Sequence, residues 1–301
     1  GLQIADGRSC GNVSGQACTM TGKTVGDREL RTSELRSLME LMLDGDEVTA
    51  RLVRNRLKSL GWKALNYCIN NIEDVIPVRS RAAVRRSLQG LSAECCLDEL
   101  QALLAAGPFF FVPDGLYVLS RILMPELTPG DFHDCYIEPA GDLVSELRDG
   151  MTAVEKVEML NYIVFDRYGF ELLKDMWHGH EALVLIPEIM ESRRVGVVGV
   201  STVYFLLASY AGLPVYPVFP KSPGYFVAYF EGERTLFSMD MGNRGRISDP
   251  VPRRMWLPTD FMGTDRTILY LYATALRRFG HTPLSWLQVS LLDRAIEMLK
   301  L

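Results

Sequence analysis

The chain has 301 residues, 48 % of them hydrophobic, and a formal net charge of −5. That is enough for one large domain or two small ones, and the acidic balance disfavours a nucleic-acid partner. The longest apolar run, Val195 to Leu207, is broken by glycines, Ser201 and Thr202 and falls short of the roughly 18 residues that a membrane span needs. Six cysteines without a C-x-x-C pair are too few for a disulfide framework and offer no zinc or redox motif. A reduced, cytoplasmic setting with no metal and no cofactor is expected.

Residues 1–28 are rich in Gly, Ser and Thr and lack periodicity, so they are expected to form a disordered leader. Residues 29–110 are expected to be helical. Leu35, Leu38, Leu41 and Met42 mark one stripe, and "DGDE" at 44–47 makes a turn. Val48, Leu52, Val53, Leu57 and Leu60 mark a second stripe, which Gly61 ends. With "LGWKALNYCI" this reads as a solenoid-type, HEAT-like repeat. Ala82–Leu104 predicts two further helices divided at "GLSAE". The run Arg79, Arg81, Arg85 and Arg86 reads as a solvated face.

The core is expected over residues 111–260. Stretches 115–127 and 141–149 read as helices, and Thr152 with Glu155 forms a capping box. Val154, Val157, Leu160, Ile163 and Val164 form the stripe behind it, which Gly169 ends. "ALVLIPEIMESRR" is a short helix limited by Pro187. A helix over 201–212, apolar on every side, is expected between a Ser201 or Thr202 cap and a Gly212 stop. Strands follow at 215–219, 224–230 and 235–241, the last two joined by "EGER". Residues 261–301 add helices at about 265–279 and 283–299, the second capped by Thr282 with Pro283 in its first turn. The predicted class is α+β: a buried helix on an antiparallel sheet, with helices before and after it.

The succession "DGLYVLSRILMPEL", "MTAVEKVEMLNYIVFDRYGF", "EIMESRRVGVVGVSTVYFLLASYAGLPVYPVFPKSPGYFVAYF" and "FSMDMGNRGRIS" resembles the SirB-type bacterial transglutaminase-like proteins over about residues 34–300. Its most specific part is Glu191–Asp240. The resemblance implies a papain-like transglutaminase core. In active members of that superfamily a Cys begins the central helix, a His opens the next strand and an Asp sits on the strand after it. A helix start stabilises a thiolate, the imidazole takes its proton and the carboxylate orients the imidazole. Carried onto this chain, the Cys position falls within Val197 to Gly199, the His position falls on Tyr225, and Asp240 alone matches. No cysteine follows Cys135, and a phenol with a pKa of about 10 is a poor base at neutral pH.

Each candidate residue has a plainer reading. Ser201 as a substitute nucleophile competes with Ser201 as a helix cap. Asp240 is either a structural remnant or a ligand-binding group. His178 and His180 in "HGH" lack a third metal ligand nearby in sequence. His133 and Cys135 are too close along the chain to face each other. "GVVGVS" lacks the G-x-G-x-x-G spacing. The candidate degenerate site therefore comprises Val197, Gly199, Ser201, Tyr225, Asp240, Trp177, His178 and His180. The leading expectation is a non-catalytic binding or interaction module with a protein or peptide partner and no membrane. The alternative is an acyl-transfer or amide-hydrolysing enzyme using Ser201 with His178 or His180. A third is a peptidoglycan or peptide binder, which needs a groove lined by Tyr225, Tyr229 and Trp177.

Overall fold

In a computed structural model of the chain, Asp46 starts the first long helix as a short acid should. Its carboxylate accepts the Thr49 N–H at 2.9 Å and caps α2 (Glu47–Leu60). The structure describes residues 32–43, 46–107, 109–173, 184–218, 226–232, 234–250, 264–279 and 284–300. The leader expected over residues 1–28 lies outside them. Ahead of α2 runs α1 (Thr32–Leu41). Gly61, at φ +77°, ends α2 and starts α3 (Trp62–Asn70), and a single turn, α4 (Ile72–Val75), leads to the long α5 (Val78–Ala105). Leu35, Met39, Val53, Leu57, Leu65 and Ile69 meet Val84, Leu88 and Leu91 of α5 in a hydrophobic cluster of their own. The expected break at "GLSAE" does not occur. Gly90 sits buried inside α5, where a Cβ would stand 3.2 Å from Leu287 Cδ2. The glycine lets a later helix approach and leaves α5 whole.

The second cluster is larger and takes in the C-terminal half of α5. It begins with α6 (Val112–Ser120), buried along almost its whole length, and α7 (Pro129–Glu146). The helix expected over 115–127 ends at Ser120. The one expected over 141–149 starts twelve residues earlier, because Thr128 caps it and Pro139 is accommodated inside it. Then α8 (Ala153–Asn161) opens on the expected capping box, with reciprocal bonds between Thr152 and Glu155, and runs on as a π-helical turn over Tyr162–Arg167. Val154 departs from the expected stripe and is 40 % exposed. Gly169, at φ +68°, ends the segment.

A short parallel pair that periodicity does not foretell follows: β1 (Glu171–Leu172) beside β2 (Arg194–Val195). Between them lies α9 (Ile186–Ser192), where Pro187 occupies the first turn and so begins the helix. β2 hands the chain directly to the central helix, α10 (Val197–Tyr210), buried from Gly199 to Ala208. It is surrounded by α6, α7, α9, the strand β3 (Val215–Val218) and the later helix α11 (Asp265–Phe279). It starts four residues earlier than expected, with Gly196 as its N-cap in extended conformation. Ser201 and Thr202 are not caps. Their hydroxyls sit one turn in and donate to the Val197 and Val198 carbonyls at 2.7 and 3.0 Å. The other end matches the expectation: Gly212 has φ +68°, its N–H reaches Ser209 O at 3.1 Å, and Leu213 N–H reaches Ala208 O at 2.8 Å.

The sheet is antiparallel in the order β3 (Val215–Val218), β4 (Phe226–Glu231), β5 (Arg234–Asp240), β6 (Arg246–Ser248). Glu231 faces Arg234 across a tight turn in which Gly232 has φ +58°. The three expected strands are present, and β6 is an addition. After α11 comes α12 (Trp286–Lys300), and the expected Thr282 and Pro283 start lies outside the described residues. Ser285 and Gln288 cap this helix reciprocally, with Gln288 N–H to Ser285 Oγ at 3.2 Å and Ser285 N–H to Gln288 Oε1 at 3.0 Å. Among the described residues no helix is long and apolar enough to cross a membrane.

Candidate functional site

Two elements converge where the central helix begins. β1 holds β2 by the bond from Leu173 N–H to Val195 O at 3.0 Å, and this fixes Gly196 and Val197. Opposite them β5 ends at Asp240. Its carboxylate accepts the Gly242 N–H at 3.0 Å, and its carbonyl accepts the Gly245 N–H at 2.9 Å, closing a compact turn over Met241–Gly245. A Cβ built on Gly242 would lie 3.3 Å from Asp240 Oδ1 and 4.0 Å from Val197 Cγ2. Val197 is thus the first residue of α10 and a neighbour of the Asp240 turn. The start of α10 and the turn after β5 are neighbours in the fold.

The turn is held from outside by residues that sequence reasoning missed. Asn161, the last residue of α8, donates its Nδ2–H to Gly245 O at 3.1 Å, and its Oδ1 accepts the Tyr204 hydroxyl at 2.8 Å. Tyr204 is wholly buried in α10, and burial drives its phenol well above the usual range. Gly245 has φ +69°, and a Cβ there would clash with Asn161 Oδ1. Arg244 adds an ion pair to Asp166 at 2.6 Å and lies 5.3 Å over the Phe165 ring. One side chain therefore ties α8, α10 and the β5–β6 turn together. Gly245 in "GNRGR" was its visible mark in sequence.

The remaining candidates divide clearly. Gly199 is buried in the first turn of α10, and Ser201 is fully buried with its proton engaged by Val197 O. That hydroxyl faces its own helix and does not point out from the helix start. Tyr225, Trp177, His178 and His180 lie outside the described residues. Tyr229, expected to line a groove, is buried and stacks on Phe237 with ring centroids 5.4 Å apart. His133 and Cys135 sit on α7 without bonding each other; the Cys135 thiol donates to Phe132 O at 2.9 Å.

The four described thiols lie elsewhere in the fold. Burial pushes the Cys68, Cys96 and Cys135 thiols up to about 12 and raises Cys95 as well. All four belong to helices other than α10. Among the described residues no three His, Cys, Asp or Glu side chains are grouped to hold a metal ion. Among the described residues, the α10 start offers the backbone amides of a helix N-terminus, the aliphatic side chain of Val197 and the Asp240 carboxylate engaged by its own turn.

Residues 138–274 match the family model of the transglutaminase-like superfamily. The matched segment runs from the middle of α7 to α11 and contains the central helix, the sheet and the Asp240 turn. This stretch is a transglutaminase-like domain, preceded by a helical region. No curated protein and no solved structure matches the chain.

Proposed function

We propose that the protein is a non-catalytic, SirB-type transglutaminase-like protein that acts as a binding or interaction module in the cytoplasm. In this reading the α10 start keeps the layout of a papain-like thiol site while the reacting groups are replaced. The observation that carries it is Val197. An aliphatic side chain occupies the helix-start position beside Asp240, where a thiol nucleophile would be needed. The engaged, buried hydroxyl of Ser201 argues against a serine substitute. The front helices, packed as a HEAT-like module, supply a second surface for a protein or peptide partner.

The test is amine incorporation into, or hydrolysis of, glutamine peptides by the full chain. The expected rate is that of buffer. The native chain and six variants, each with one cysteine changed to Ser, should be indistinguishable. Activity that vanishes with one of those substitutions overturns the reading.

A further inference from the structure

α12 buries Leu291, Leu292, Ala295 and Leu299 and turns its other side outward. On that side Trp286 is 81 % exposed, the highest value of any large hydrophobic residue among those described. Trp286 stands at the edge of a groove of about 970 Å³ between α12, the end of α5 and Arg266 of α11. Leu104, Ala105, Val289 and Met298 supply its apolar lining. An indole in water beside an apolar groove is the composition of an interface anchor, since Trp dominates binding energy where it is buried by a partner.

We infer that this face pairs two copies of the chain about a two-fold axis. The protruding group and the recess lie on the same face, which is what an isologous contact requires: the Trp286 of each copy enters the groove of the other. Charge favours a second copy over a strongly charged partner. The chain as a whole is at −5, so two copies repel over most of their surfaces. The groove is balanced, with Arg266 and Arg294 against Asp293 and Glu297. Three of these four are engaged within the molecule. Arg266 holds the Leu299 carbonyl at 3.0 Å, Asp293 pairs with Arg277 at 2.8 Å, and Glu297 pairs with Lys300 at 2.7 Å. Approach at this face therefore meets little net repulsion, and Arg294, which has no ion-pair partner among the described residues, can reach the acids of the other copy. The inference concerns a face remote in sequence from Val197 and Asp240 and does not rest on the non-catalytic reading.

Sedimentation equilibrium of the full chain at micromolar concentration tests it. The mass should rise with concentration towards twice the 33.9 kDa of the chain. Trp286→Ala removes the protruding group without touching the core, and Val289→Glu blocks the recess. Each should weaken pairing at least about tenfold. An equimolar mixture of the two variants should pair better than either alone, because one intact anchor still meets one intact groove. Monomer mass for the native chain overturns the inference. So does a dimer unmoved by both variants, or a mixture no better than its components.

Discussion

The front helices and the central domain bury apolar groups in different ways. α1 to α4 each bury a narrow stripe, and the stripes meet only their neighbours and the first half of α5. α10 has no exposed side, and its partners come from residues as far apart as α6 and α11. α5 belongs to both regions, and a charged group sits where they join. Arg121 is fully buried, its guanidinium 5.5 Å from the Trp62 ring of the front and 5.3 Å from Tyr117 of the core, with Nη1 donating to Glu99 at 2.7 Å. Its Nε and Nη2 have no hydrogen-bond partner among the described residues. A cation with part of its desolvation unrepaid joins two regions less firmly than an apolar seam. The front should therefore open locally before the core does.

The largest contrast is expected from core truncation. Phe205→Ala should cost about 3–5 kcal/mol and destabilise the whole chain, whereas Leu57→Ala should cost about 2–4 kcal/mol. Hydrogen exchange separates them. Leu57→Ala should speed exchange in α1 to α4 and spare α10, while Phe205→Ala should speed both. Equal effects on both regions from either variant would mean that the joint is as cooperative as the interiors.

Gly245→Ala comes next, because it strains the left-handed φ and forces a Cβ into Asn161. About 2–4 kcal/mol is expected from a urea midpoint shift. Gly130→Ala is the control, since its nearest neighbour is 3.7 Å away and its φ is not positive.

A smaller effect depends on pH. Asp265, at the start of α11, is raised from 3.8 to about 6 by burial, in spite of the bond it accepts from Phe110 N–H at 2.8 Å. The folded state thus holds this proton more tightly than the unfolded chain. Its contribution is fully present below about 4 and is lost as pH rises to about 6. Asp265→Asn keeps an acceptor for Phe110 and cannot ionise. At pH 8 it should exceed the native chain by about 1 kcal/mol after solvent screening, and the gap should close below pH 4. A gap that does not vary with pH would place the cause elsewhere.

The contrast also explains what could be read in advance. The central helix and the three strands after it were legible because an all-round apolar run ending in Gly212 and two-residue alternation are local signals. β1, β2 and β6 were not, since two or three residues carry no period. The segment around Gly90 was read as a break, and the packing that uses this glycine comes from Leu287, far along the chain. At the site, the resemblance named Asp240 and the stretch Val197 to Gly199 as candidates, while the pattern of residues alone placed the helix start at Ser201. The Asn161 lock was not, because its two bonded partners lie 43 and 84 residues away. The cap moved from Ser201 to Gly196 because the short strand β2, invisible in the pattern, delivers the chain to the helix earlier.

In the proposed function, Val197 takes the place of a helix-start thiol. Val197→Cys tests it through the pH dependence of iodoacetamide alkylation, with the mass-mapped peptide distinguishing this thiol from the native ones. The expected pKa lies clearly below the free-cysteine value of about 8.5, set by the N-terminus of α10, with no gain in amide hydrolysis. A pKa at or above that value would contradict it, because the residue would then not sit at an open helix start.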